Sequence, residues 1–241
     1  MLRRFCPVYP FAHLFSGVLI GILFFHIWKD RRVIPVCIAG ALFSDLLDKP
    51  LSLLIPDVFG STRTIGHTLI LALVLMIAAL ILWYRYGNII GMVFAGMVLL
   101  HQLLDMIWVL PVTWFFPLLG MFQKTPAAGG FVQFLWIEMT NPSEWVFALA
   151  SCVFFLIWYT RIRKNPPPTL PCRLLIPSQY GMAGILGITG ACLVFTGTGL
   201  LSGPVPVLFP GPDKTLMAGL VALCGAIVLG LIPVQKLSSD W

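Results

Sequence analysis

Charged residues are scarce in this chain, and their scarcity excludes most classes of soluble protein. They make up 10% of its 241 residues, whereas hydrophobic residues make up 59%, and the mean hydropathy is +0.96. An average soluble domain carries about 25% charged residues. The composition therefore predicts a protein that crosses the membrane several times.

Several chemical motifs are also missing from the sequence. It contains no HExxH pair of a zinc protease, no GxSxG nucleophile elbow and no CxxC pair among its six cysteines. Because most of the cysteines lie in apolar runs, we interpret them as small buried hydrophobes. The net charge of +6 comes from short loops without a basic patch between aromatic residues, so no nucleic acid partner is predicted.

The sequence does contain a series of apolar runs, each long enough to form a membrane-spanning helix. The predicted fold class is all-α, a polytopic transmembrane helical bundle with about seven spans. Pro50 is predicted to kink or end the second span. The predicted spans are Phe11–Trp28, Val33–Pro56, Ile65–Tyr84, Asn88–Leu110, Ser143–Tyr159, Tyr180–Leu201 and Thr215–Val234.

The positions of charged residues predict three segments. Residues 1–160 form a helical membrane domain with five spans, and residues 161–178 form a basic, proline-rich linker in which Pro166–Pro168 is extended. Residues 179–241 form a two-span annex whose spans carry no charged residue. The sixth span has a row of glycines that predicts a close packing face, formed by Gly181, Gly184, Gly187 and Gly190.

Ionisable side chains inside the first four spans predict a site. Such groups are costly at membrane depth and usually face a partner, a cavity or an ion. Because consecutive spans run in opposite directions, these ionisable side chains all fall at a similar depth in the membrane. His26 falls at the opposite end of the first span. These residues are His13, the pair Asp45 and Asp48, Arg63 with His67, and the pair His101 and Asp105, which share one helix face.

Imidazole and carboxylate groups are typical ligands of zinc, and also of manganese or iron. We therefore predict a divalent metal ion, zinc by preference, held as one or two ions by His13, Asp45, Asp48, His67, His101 and Asp105. Arg63 and Lys49 are predicted as cations that contact a phosphate or carboxylate group of the substrate. Alternatively, Lys49 pairs with Asp48, and Arg63 pairs with Asp57.

The order of these motifs resembles that of the YdjM-like membrane-bound metal-dependent hydrolases. The resemblance rests on His13, on the stretches Ala41–Pro50 and Arg63–Thr68, on the HxxxD helix at His101–Asp105, and on the aromatic-proline stretch Trp114–Pro117. It implies a metal-dependent hydrolase of phosphate esters, with a lipid or small-molecule substrate and a distant similarity to zinc-dependent phospholipase C. The sequence departs from the family pattern at Ser44, where proline is usual, and has no histidine after His101.

Basic residues predict the orientation in the membrane. With the N-terminus outside, nine basic residues fall on the cytoplasmic side and five outside, as the positive-inside rule requires. This predicts a multi-pass protein of the cell membrane with the site on the extracytoplasmic side. The nine are Lys29, Arg31, Arg32, Arg85, Arg161, Arg163, Lys164, Arg173 and Lys236, and the five are Arg3, Arg4, Arg63, Lys124 and Lys214.

Two further interpretations fit the same residues. In a transporter or channel, the His/Asp cluster would coordinate a cation or relay protons. Inverted repeats would support a transporter, but the two halves of the sequence show none. In a membrane scaffold, the cluster would hold a structural metal ion.

Overall fold

The computed structural model describes residues 10–55, 61–122, 136, 139–162, 172–200 and 212–231. Within these residues the regular secondary structure is entirely helical. Two short 3-10 helices, Ile65–His67 and Ile107–Val109, lie beside eight α-helices. The α-helices are α1 Pro10–Trp28, α2 Val33–Leu54, α3 Leu69–Tyr86, α4 Ile90–Leu104, α5 Pro111–Trp114, α6 Pro142–Ile162, α7 Cys172–Gly197 and α8 Pro212–Leu231.

The seven long helices follow the seven predicted spans, which confirms the predicted all-α membrane bundle. Four of the helices in the described residues, α1, α3, α6 and the part of α7 from Pro177 onward, are long and apolar enough to cross a membrane. Ile90–Leu104 and Thr215–Leu231 are shorter apolar helices. Charged residues interrupt α2.

Two helix ends differ from the prediction. The fourth helix ends at Leu104 and not at Leu110, because Met106 has a positive φ of 52° that a continuing α-helix does not allow. Helix α2 contains Pro50 and continues to Leu54. It ends directly before Ile55, which precedes Pro56 and is therefore disfavoured in the α conformation.

The described residues form two compact units, one made of the described part of 10–141 and the other of the described part of 142–231. This division assigns α6 to the C-terminal unit, whereas the sequence suggested a boundary at the 161–178 linker. Residues 172–178 of that predicted linker are helical, since helix α7 already begins at Cys172 and contains Pro177. Pro166–Pro168 lie outside the described residues.

Small residues allow the helices of the N-terminal unit to approach closely. A Cβ atom on Gly17 would stand 3.0 Å from the Cβ of Ala41, and one on Gly40 would stand 2.7 Å from the carbonyl oxygen of Phe94. A core of buried apolar residues from α2 and α4 continues this contact. Its members are Val33, Cys37, Ala41, Val93 and Met97. Helices α1, α2 and α4 therefore bring their polar residues together.

In the C-terminal unit, the predicted glycine face is partly confirmed. A Cβ atom on Gly190 would stand 2.9 Å from the carbonyl oxygen of Gly219, so α7 and α8 are in close contact there. At Gly187 the nearest atom is the Cβ of Ala226, at 3.8 Å. Among the described residues, Gly181 and Gly184 have no neighbouring atom within 4 Å of a built Cβ, so the close contact covers only one end of the row.

Candidate metal centre

His67 lies in the 3-10 helix Ile65–His67, and Asp48 of α2 orients its ring. The Nδ1 atom of His67 is 2.7 Å from Oδ2 of Asp48. A carboxylate accepts hydrogen bonds only, so Nδ1 carries a proton, and in the neutral ring Nε2 presents its lone pair. Asp48 also accepts bonds from Thr64 N, Thr64 Oγ1 and Gly66 N, at 2.6–2.8 Å. Both residues are fully buried, so the ring is held firmly.

The same argument fixes the tautomer of His101, which lies in the last turn of α4. Its Nδ1 is 2.6 Å from the carbonyl oxygen of Ala41 on α2. A carbonyl is also an acceptor only, so Nδ1 donates and Nε2 presents a lone pair. The ring of His13 stacks on His101, with centroids 3.9 Å apart. The orientation of His101 is therefore set by both neighbouring helices.

The two lone pairs face each other across a short distance. Nε2 of His101 is 3.2 Å from Nε2 of His67. When both rings are neutral, these atoms are two acceptors in contact, which repel unless a cation lies between them. A proton or a metal ion would relieve this repulsion. Two nitrogens bound to one tetrahedral zinc ion, at about 2.0–2.1 Å each, stand about 3.3 Å apart, which fits the observed distance.

Carboxylates of two further residues border this pair of nitrogens. Asp45 Oδ1 is 3.8 Å from Nε2 of His67 and 3.9 Å from Nε2 of His101. Asp105 Oδ2 is 3.5 Å from Nε2 of His67. Ligand atoms that lie within 4.8 Å of one another occur in two overlapping groups among the described residues. These are Asp45, His67 and His101, and His13, His101 and Asp105.

Asp105 follows the last residue of α4 and accepts hydrogen bonds from two directions. Arg63 Nε and one of its terminal nitrogens lie 2.8 and 2.7 Å from Oδ2. His13 Nε2 lies 3.1 Å from Oδ1 and donates to it. The other nitrogen of His13, Nδ1, is buried and has no hydrogen-bond partner among the described residues. This nitrogen is therefore a further buried acceptor beside His101.

Lys49 pairs with Asp45, with Nζ and Oδ2 3.1 Å apart. This partner lies one helix turn away, as residues i and i+4 do, and the alternative pairing with Asp48 stays a prediction. The Lys49 and Asp45 side chains are 17% and 12% exposed, whereas that of Asp105 is 2% exposed. The Asp45–Lys49 pair is therefore the most accessible edge of the cluster. Asp57, the predicted alternative partner of Arg63, lies outside the described residues.

The structure brings together all eight side chains that the sequence singled out. His26 lies apart from them and bonds to the carbonyl oxygen of Ile22 in its own helix. Residues 9–166 match the model of a family described as YdjM inner membrane protein. The chain belongs to this family. As a member of the YdjM family, it is a protein of the membrane.

Other comparisons give no further relatives. No curated protein and no solved structure matches the chain significantly. The distant similarity to zinc-dependent phospholipase C therefore stays a prediction. The helical bundle, the family and the geometry of the buried cluster are the basis for a functional interpretation.

Two uncharged residues of the site were not predicted from the sequence. Gly66 has no room for a side chain, because a Cβ atom there would stand 2.6 Å from the carbonyl oxygen of Ser44 and 3.0 Å from Oδ1 of Asp48. Gln102 is buried beside His101 and bonds to the segment around His67. A polar amide within an apolar helix was the available signal for Gln102.

Proposed function

We propose that this chain is an integral membrane metal-dependent hydrolase that cleaves a phosphate ester, of a lipid or a small molecule. The facing Nε2 atoms of His67 and His101 carry the proposal, because two oriented lone pairs 3.2 Å apart suit a metal ion. Membership of the YdjM family supports a membrane location. The proposed cofactor is one divalent ion, zinc by preference, with manganese and iron as alternatives.

The donor set fits such an ion. We assign His67 Nε2, His101 Nε2, Asp45 and Asp105 as its ligands, a mixture of nitrogen and oxygen atoms that suits zinc. Histidines that bind metals usually donate their other N–H group to a carboxylate or a carbonyl oxygen. Here His67 donates to Asp48, and His101 donates to a carbonyl oxygen. We therefore assign Asp48 as the support of His67 instead of as a ligand.

His13 is the remaining candidate ligand. Its Nε2 is engaged with Asp105, and its ring stacks on His101. Since His101 has only Nε2 available, it can serve one ion, so a second ion would need Nδ1 of His13, which has no partner within the described part of the chain, and other groups. The stoichiometry of bound metal distinguishes these cases, because one ion per chain leaves His13 as a support of Asp105.

The charge of the cluster suits an anionic substrate once a cation is bound. Three carboxylates, of Asp45, Asp48 and Asp105, and two cations, of Arg63 and Lys49, leave one net negative charge when the histidines are neutral. A bound divalent ion changes this to one net positive charge, and it lowers the pKa of a coordinated water so that hydroxide is available near neutral pH. We assign Arg63 and Lys49, which pair with Asp105 and Asp45, the role of attracting the phosphate group.

A transporter is the second candidate function, and one observation favours it. The short His67–His101 contact would also be relieved by a shared proton, and buried histidines and carboxylates at membrane depth serve proton or cation transport in other proteins. The two functions differ in what they consume, since only a hydrolase converts a phosphate ester.

Arg63→Lys should separate the two functions. Lysine keeps the charge beside Asp105 but loses the two-pronged donor geometry of the guanidinium, so the variant should retain its metal ion. A charge-assisted contact of about 1.5–3 kcal/mol lost in the transition state would slow hydrolysis about ten- to a hundredfold. The assay is a panel of phospholipids and phosphate monoesters in detergent, with added zinc or manganese.

Arg85→Lys is the matched control, because Arg85 is exposed at the far end of α3. It should hydrolyse the panel at the wild-type rate. Equal rates for Arg63→Lys and wild type would limit Arg63 to a structural role. Failure to hydrolyse any member of the panel, together with metal-dependent ion flux in liposomes, would support the transporter.

We also propose that the site faces the extracytoplasmic side. Tyr86 is the last residue of α3, at the end that leads into α4, and Leu118 comes after α5, beyond the other end of α4. Their side chains are 74% and 76% exposed. A membrane-impermeant thiol reagent added to intact cells should label Leu118→Cys and not Tyr86→Cys. The wild-type chain measures the background from its own cysteines, and the opposite labelling pattern would move the site to the cytoplasmic side.

A further inference from the structure

Gln102 is a buried, uncharged residue next to His101, and its amide makes three hydrogen bonds. Its Nε2 donates to the carbonyl oxygen of Gly66, at 3.2 Å, and to that of Thr68, at 3.0 Å. Its Oε1 accepts a bond from the indole Nε1 of Trp114, at 3.2 Å. Both amide hydrogens and the amide oxygen are therefore engaged.

The two carbonyl groups belong to the residues on either side of His67. Asp48 of α2 accepts bonds from the N–H groups of Thr64 and Gly66 in the same segment. The short segment 64–68 is thus held through its N–H groups by one helix and through its carbonyl groups by another. Because a short 3-10 helix has few internal hydrogen bonds, these side chains determine where His67 lies.

Trp114 determines which way the amide of Gln102 points. An indole N–H group is a donor only, so the amide must present its oxygen to Trp114. The NH2 group is then directed toward the carbonyl oxygens of Gly66 and Thr68. Trp114 ends α5, so this bond connects the aromatic segment after α4 with the segment that carries His67.

From this network we propose that Gln102 is a positioning residue for His67 and that Trp114 fixes the direction of its amide. The consequence for metal binding rests on the proposed function. The positioning itself acts in the metal-free protein as well, because none of these bonds involves an ion. The two statements can therefore be tested separately.

The first test uses the metal-free protein. Gln102→Met keeps the length of the side chain but removes both donors. In the wild type, ¹⁵N NMR of labelled histidine should show a single form of His67, identified with His67→Gln, in which Nδ1 carries a proton. In Gln102→Met these resonances should shift toward a mixture of tautomers.

Gln179→Met is the matched control, because Gln179 is also buried and donates to the carbonyl oxygen of Leu229. It should leave the His67 resonances unchanged. Identical His67 resonances in Gln102→Met and wild type would overturn the proposal. If Gln102→Met does not fold, the same NMR comparison is made with Trp114→Phe, which removes a single N–H donor.

The second test measures cobalt binding from the visible absorption of the Co²⁺-loaded protein. Gln102→Met should bind Co²⁺ about tenfold more weakly or worse, as is usual when support of a ligand is lost, and its band shape should change. Trp114→Phe, which loses one neutral hydrogen bond, should bind about three- to tenfold more weakly.

Trp108→Phe is the control for the tryptophan variant, since the Trp108 side chain is 39% exposed and the chemical change is the same. It should bind cobalt like the wild type. Wild-type affinity in both Gln102→Met and Trp114→Phe would overturn the inference. A wild-type protein that binds no cobalt would instead contradict the proposed function, and the NMR comparison would still decide on Gln102.

Discussion

Replacing His101 with alanine should remove the metal ion and abolish hydrolysis, whereas replacing His26 should change neither. His101 supplies one of the two facing nitrogens, and its Nδ1 proton is directed to the carbonyl oxygen of Ala41. Loss of a supporting group typically lowers metal affinity about ten- to a hundredfold. Loss of a ligand should lower it further. Metal content of the purified protein measures the effect.

His26→Ala is the matched control, because His26 is bonded within α1, at the opposite end from His13. His101 also stacks on His13, so a thermal melt should check that the His101 variant keeps its fold. His67→Ala should reproduce the metal loss, as the second member of the facing pair. If either folded variant retains a full complement of metal, the facing nitrogens do not bind it.

Much of the fold was predictable, because helix formation in a membrane follows from hydrophobicity and length. Among the described residues, the seven long helices agree with the seven apolar runs. The sequence did not reveal where α4 ends, since Met106 is apolar like its neighbours and its left-handed backbone conformation leaves no mark on hydropathy. The sequence also suggested a linker where α7 begins, because proline is costly in a helix interior. In the structure, α7 nevertheless contains Pro177.

The convergence of the site residues was also predictable, because spans that alternate in direction place their ends at the same depth. The hydrogen-bond and ion-pair partners of the individual residues were harder to predict. The pairing of Lys49 with Asp45 follows from helical geometry, whereas the role of Asp48 depends on the path of segment 64–68 outside the helices. Hydrogen bonds from Thr64 and Gly66 backbone groups to Asp48 cannot be read from residue types.

The role of Asp48 leads to the second large expected effect. Its two oxygens accept four hydrogen bonds, including the one from Nδ1 of His67. Asparagine has the same shape but replaces one oxygen with an NH2 group, which only donates. In one orientation, the NH2 group would face Thr64 N and His67 Nδ1. In the other, it would face Gly66 N and Thr64 Oγ1.

Both orientations of Asp48→Asn disturb His67. In the first, Nδ1 must become the acceptor, so the ring proton moves to Nε2 and blocks the nitrogen that faces His101. In the second, the N–H group of Gly66 meets another donor, and the segment that carries His67 must shift. A buried donor without a partner costs about 1–3 kcal/mol of stability, so a lower melting temperature should accompany the change.

Asp48→Asn should therefore bind metal about ten- to a hundredfold more weakly and hydrolyse the substrate panel correspondingly more slowly. Asp30→Asn is the matched control, because Asp30 forms an exposed ion pair with Arg32 at 2.9 Å, and exposed pairs contribute little to stability. Histidine ¹⁵N NMR reports which nitrogen of His67 is protonated. Unchanged metal affinity in folded Asp48→Asn would mean that Asp48 does not orient a ligand, since this substitution alters its hydrogen bonding and preserves its shape.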